Sequence, residues 1–232
     1  MDTVRIDEIR TATEEALDRV RSHRFVRMAH RHQLSRAQVL RWLFCAGRES
    51  ESFPNILVGM IKHTANPLVL EVLRENLRDE YGNGKPDEAH FQHYLHLLRQ
   101  IGQLEAFYAY RERAGIKLAL DLAYNMATEK RPGIALGYML VNEGMTPITY
   151  GAIETAIYDY FPELETPFFK LHVEVDEHHV AELYRAVAAM SSDAADDILF
   201  GIALGERGMG VLLDEALGVF DHILTSRAGH AA

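Results

Sequence analysis

An all-α fold, a bundle of seven to nine helices in one domain, is what this sequence predicts, and three observations predict it. Apolar residues recur at three- and four-residue spacing from end to end, and strand-like alternation does not. Turn and cap signals separate the periodic segments, with no linker, low-complexity run or internal repeat between them. The 232 residues, 48% hydrophobic, supply apolar area for a substantial core. The domain is expected over residues 1–227, followed by a small-residue disordered tail at 228–232.

Element by element, Ile6–Arg24 reads as a first helix. Ser35 with Gln38 forms a capping box for a second, running to Glu51 until Pro54 interrupts it and a further segment continues to His63. Asn66–Pro67 places an N-cap before a proline at the first helical position, opening a helix through Glu80. Gly82–Pro86 breaks the chain, and Asp87 caps a long helix, Glu88–Arg113. Gly115 starts the next, to Glu129, and Arg131–Pro132–Gly133 punctuates. Thr146–Pro147 and Thr166–Pro167 open two more, the latter reaching Met190. Ser192–Asp193 begins the last, which ends near Leu224.

Composition excludes several function classes. A formal charge of −10 disfavours phosphate backbones and anionic lipid, and the densest basic cluster, Arg19–Arg36, wraps all round its helix without forming a stripe. The longest uncharged stretch, Pro132–Asn142, has eleven residues, where roughly 18 or more are needed to span a bilayer. The N-terminus carries no apolar signal-peptide core. The expectation is a soluble cytoplasmic protein with no nucleic-acid or membrane partner. The one cysteine, Cys45, sits in an apolar helical run and reads as a buried structural thiol. The distinctive feature is twelve histidines.

Laying the helices on their seams shows polar groups where a core should be. Phe169, His172, Asp176, His179, Leu183, Ala186 and Met190 follow one another at alternating spacings of three and four. Two imidazoles and a carboxylate thus occupy the middle of an apolar stripe, where each costs several kcal/mol if left without a partner. The stripe Val69, Val72, Leu73, Asn76, Leu77 ends in Glu80, and Leu136, Met139, Leu140 ends in Glu143. His90 heads a seam of Tyr94, Leu97, Ile101, Leu104 and Tyr108. Glu80, His90, Glu143, His172, Asp176 and His179 therefore form a candidate ligand set. Its mixture of hard oxygen and imidazole donors suits iron or manganese. Asp176 and His179 stand at the i, i+3 spacing by which one helix of a di-iron bundle supplies a carboxylate and an imidazole. His93 stands as an alternative to His90, and Glu154 to Glu143. His96 and His178 read as surface residues, Glu75 and Asp79 as solvated, and Asn76 as a hydrogen-bonding neighbour of the metal ligands. Tyr81, Tyr94 and Tyr150 are candidate pocket or electron-donor residues, with core packing the plainer role for each.

The string Asn76-Leu77-Arg78-Asp79-Glu80-Tyr81-Gly82, then His90, Glu143 and Leu171-His172-x3-Asp176-x2-His179, resembles the haem-oxygenase-like diiron oxidases. That superfamily shares its helical fold with haem oxygenase, the TenA thiaminases and the PqqC cofactor oxidase, and the likeness spans residues 15–190. The resemblance implies two irons held by the six residues named, with O2 as co-substrate, and the same ligands also accept manganese. It implies oxidation of a small organic substrate in a biosynthetic pathway, with N-oxygenation of an amine, arylamine or amino-acid derivative as the first expectation. Desaturation, C–C cleavage or decarboxylation of an amino or fatty acid is the alternative. An external electron donor and a homodimer are further expectations from the same source.

Two departures are visible. Gly144–Phe169 holds no lysine, unlike the self-sacrificing aminobenzoate-forming branch, and Cys45 lies far from where the thiaminase branch carries its nucleophile. Two rivals follow: a metal-free cofactor-processing or binding protein of the PqqC/TenA kind, and a structural protein whose polar seam is hydrogen-bonded internally.

Overall fold

The caps read from the sequence at Ser35–Gln38 and Asn66–Pro67 are made in three dimensions, whereas Asp87 caps no helix: it lies in a short 3₁₀ turn, and the next helix starts after Ala89 without a side-chain cap. The computed structural model describes residues 5–165 and 167–222, and the side chains of all of these except residues 167 and 170–176. Ten α-helices and three short 3₁₀ turns are found among them, and no strand. Thr166, Leu224 and the 228–232 tail lie outside the described residues.

Helix α1 (Ile6–Arg21) is followed by α2 (Arg24–His30), where one helix to Arg24 was expected. The break is made by His23, extended at ψ 145°, whose Nδ1 accepts the Phe25 N–H at 3.2 Å and so caps α2. Helix α3 (Arg36–His63) starts on the complete Ser35–Gln38 capping box, and α4 (Pro67–Glu80) on the Asn66 side chain, which accepts from the Leu68 and Val69 N–H groups. The long helix expected at Glu88–Arg113 is instead α5 (His90–Gln100) and α6 (Leu104–Ala109). Gly102, at φ +67°, reverses the chain between them in a conformation only glycine adopts cheaply. Helix α7 (Ala114–Thr128) matches its expected span closely.

Pro54 was expected to interrupt a helix and Pro147 to open one, and both lie inside unbroken helices. Helix α3 runs through Pro54, and α8 (Pro132–Ile157) runs through Pro147. A proline inside a helix removes one backbone hydrogen bond at a cost of about 3 kcal/mol, and tertiary packing can outweigh that. Both helices bury apolar side chains on either side of the proline. Helix α9 (Pro167–Ala188) and α10 (Ala195–Leu217) complete the set, α10 ending on Gly218 at φ +84°.

Helix α8 is the axis of the bundle. It is buried on every face from Gly133 to Val141 and alternates between buried and half-buried residues from there to Ile157, and α10, α9, α2 and α1 pack against it. Helix α10 comes closest. A Cβ built on Gly137 of α8 would lie 2.0 Å from the Ile198 carbonyl oxygen, and one on Gly201 of α10 would lie 2.0 Å from that of Ile134. Helices α3, α4 and α9 close the other side.

Cys45 is fully buried, 3.7 Å from the Tyr110 hydroxyl, and burial pushes its thiol up to about 12, with the Tyr110 hydrogen bond opposing. It should therefore be inert to Ellman's reagent at pH 8 in the folded protein and react stoichiometrically in denaturant. Reaction in the native state would show that α3 opens on its own.

Candidate metal centre

Four of the expected ligands are brought together from four helices. Glu80 closes the last turn of α4, His90 opens α5, Glu143 stands midway along α8, and His179 lies on α9. None is more than 7% exposed. His90 Nδ1 lies 2.8 Å from Glu80 Oε1. His179 Nδ1 lies 3.5 Å from Glu143 Oε2, whose other oxygen accepts from Asn76 Nδ2 at 2.6 Å. Burial pushes the His90 imidazole down, but the hydrogen bond and charge of Glu80 outweigh it and hold the group above the ordinary histidine value.

His172 and Asp176 lie outside the residues whose side chains are described, although the backbone of α9 carries them about two turns and one turn, respectively, before His179. Among the described residues, no three His, Cys, Asp or Glu side chains converge on one metal position. The four that are described nevertheless fit a cation. Two carboxylates are buried with imidazole and amide partners and, among the described residues, meet no Lys or Arg, so the described cluster is short of positive charge. Oxygen and nitrogen donors without thiolate suit iron or manganese.

The alternatives separate by position. His93 is only part-buried and His96 exposed, so His90 is the imidazole of α5 that reaches the cluster. Glu154 lies eleven residues beyond Glu143 on α8 and does not line the adjoining cavity. His178 is exposed, 3.6 Å from Glu75. Asp79 corrects the expectation of a solvated side chain: its Oδ2 lies 3.1 Å from His179 Nε2, because α9 passes the end of α4 at that turn. Asp79 and Asn76 thereby orient an imidazole and a carboxylate of the cluster, as outer partners of metal ligands do. Asn76 Oδ1 is buried without a hydrogen-bond partner among the described residues.

Of the three tyrosines, Tyr94 is core: its hydroxyl donates to the Leu43 carbonyl and its ring meets Phe168 edge-on at 4.8 Å. Tyr81 is 52% exposed and lines an outer groove of about 780 Å³, with Arg74, Arg78 and Phe91, that reaches Glu80. Tyr150 lines an inner cavity of about 50 Å³ between α3, α8 and α10, on which both Glu80 and Glu143 border. Glu49 of α3 borders it too, a residue the seam-by-seam reading passed over. Its carboxylate accepts from Asn142 Nδ2 at 3.2 Å. Burial pushes it up to about 7, with the Asn142 hydrogen bond opposing and the Glu143 charge adding.

Residues 49–207 match the profile of a family described as iron-containing redox enzyme. No match was found among curated proteins. Among solved structures, a domain of unknown function with a haem-oxygenase-like fold from Shewanella denitrificans is similar at 14% identity and a TM-score of 0.76, over 95% of each chain. A CADD-like protein of unknown function from Nostoc punctiforme has 16% identity and a TM-score of 0.75, over 91% of this chain and 98% of that one. A TenA homologue from Pseudomonas syringae pv. tomato has 12% identity and a TM-score of 0.72, over 91% and 92%. At these identities the likeness shows the fold, the haem-oxygenase-like all-α bundle.

Proposed function

The chain belongs to the iron-containing redox enzyme family, and we propose that it is an O2-activating non-haem diiron oxygenase or oxidase acting on a small organic substrate. The observation that carries this reading is the buried pairing of Glu80 with His90 and of Glu143 with His179, with no Lys or Arg among the described residues beside either carboxylate. These four, with His172 and Asp176, would hold the metal, and manganese would fit the same donors. Bound iron would supply the redox chemistry and Lewis acidity that no amino-acid side chain offers. The protein's own part is to orient and exclude. Asn76 fixes the Glu143 carboxylate, Asp79 fixes the His179 ring, and Trp42 and Met209 keep bulk water from the cavity wall.

N-oxygenation of an amine is the reaction we assign first. One oxygen atom goes to nitrogen and the other leaves as water, with two electrons from an external donor. The acidic cavity wall supports an amine over an anionic substrate. Desaturation or cleavage of an amino or fatty acid by the same centre is distinguished by product analysis. A homodimer free in solution is part of the proposal, and no helix among the described residues is long and apolar enough to cross a membrane.

Anaerobic ferrous titration followed by mixing with O2 tests the reading. About two irons bound per chain and an oxygen-dependent optical transient are expected. Less than half an iron bound, with no transient, would overturn it in favour of the metal-free rival on the same fold.

A further inference from the structure

We propose that the inner cavity beside Glu80 and Glu143 is the substrate chamber, and that the Glu49 carboxylate receives the ammonium group of a small amine. This rests on the diiron reading for the chemistry, though not for the binding. Among the described residues the cavity is lined by three carboxylates, Glu49, Glu80 and Glu143, and by no Lys, Arg or His. A recess with such a wall selects cations. Glu80 and Glu143 have imidazole partners across the metal cluster. Among the described residues Glu49 has one hydrogen bond, from Asn142 to Oε1, and Oε2 is the oxygen we assign to a ligand.

The remaining wall is also made for a donor-rich guest. Thr146 and Thr149 donate their hydroxyl hydrogens to the Asn142 and Met145 carbonyls, so toward the cavity they offer lone pairs. Pro54 and Pro147 lack the N–H that would have bonded the carbonyls four residues earlier, which belong to Ser50 and Glu143, both cavity residues. Trp42 and Tyr150, in edge-to-face contact at 5.4 Å, add ring surfaces that favour a cation. Three N–H bonds on a compact positive head answer all of these at once. A volume of about 50 Å³ admits only a compact molecule.

The test is calorimetric or NMR-detected binding of propylammonium, 1-propanol and propionate to the full chain, both metal-free and loaded anaerobically with ferrous iron. Propylammonium should bind in both forms, and about tenfold or more tighter than the alcohol, with propionate weakest. Glu49→Gln should remove the ammonium preference, Glu49→Asp should keep most of it, and both should bind iron as the wild type does. Equal affinity for amine and alcohol in the wild-type chain would overturn the proposal without any variant. So would tighter propionate binding, which would point to the Arg74–Arg78 groove, or loss of iron in Glu49→Gln, which would make Glu49 a ligand. Iron binding without amine selectivity would leave the diiron reading standing and sink only the chamber; amine selectivity without iron would do the reverse.

Discussion

A chain carrying Glu143→Gln should bind ferrous iron at least about 100-fold more weakly than the wild type, yet melt no lower in its metal-free form. The two halves of this result have separate causes. Glutamine keeps an oxygen for the Asn76 amide, which lies 2.6 Å from Glu143 Oε1, and turns an N–H toward His179 Nδ1, 3.5 Å from Oε2. The Asn76 hydrogen bond therefore survives while a buried charge with no Lys or Arg partner among the described residues is removed, an exchange that is neutral or stabilising. A metal loses an anionic donor, which amide oxygen does not replace. If the polar seam were only structural, the signs would reverse, with a lower melting temperature and unchanged metal content. Glu154→Gln is the matched control on α8 and should alter neither quantity. Anaerobic ferrous titration and a thermal melt in chelator read both halves from one preparation.

Gly137→Ala should cost about 3 kcal/mol or more, lowering the melting temperature by roughly 6–12 °C for a domain of this size. The new methyl would stand 2.0 Å from the Ile198 carbonyl oxygen, and a backbone atom has no rotamer by which to withdraw. The helices must part instead, and α8 carries Glu143 with it. Gly201→Ala meets the Ile134 carbonyl at the same distance and should behave alike. Gly210, on the same helix as Gly201, has nothing within 4 Å of a built Cβ, so Gly210→Ala should stabilise by about 0.5–1 kcal/mol through helix propensity. Opposite signs from one substitution on one helix, read by differential scanning fluorimetry, would separate the close crossing from propensity. A small effect at Gly137 would mean that α8 and α10 stand further apart than described here.

Much of this site is legible from helical spacing alone. Asn76 and Glu80 stand four apart on the apolar stripe of α4, and Glu143 on that of α8, so a 3.6-residue period suffices to bury all three. Glu49 obeys the same rule, at the third place of Trp42, Ala46, Glu49, Phe53, but it stands among Arg48, Ser50 and Glu51, whose polarity hides the stripe. Asp79 falls off its own helix's apolar stripe and gains its role from a neighbouring helix, which no local pattern encodes. The prolines show the same division. The local rule is right about the missing hydrogen bond at Pro54 and Pro147, and the continuity of α3 and α8 is decided by packing on both sides of it.

That continuity limits how the chain can change length. Gly137 sets α8 against α10, and Glu143, six residues on, turns the same rod toward the metal cluster. Each helical residue advances the side chains by about 100°, so one residue inserted or deleted between these two positions would swing Glu143 a quarter-turn or more away from His179. The same holds in α3 between Trp42 and Glu49, which both border the cavity. Length variation among homologues that keep this chemistry should therefore collect in the turns at residues 101–103 and 158–165, outside the two unbroken rods.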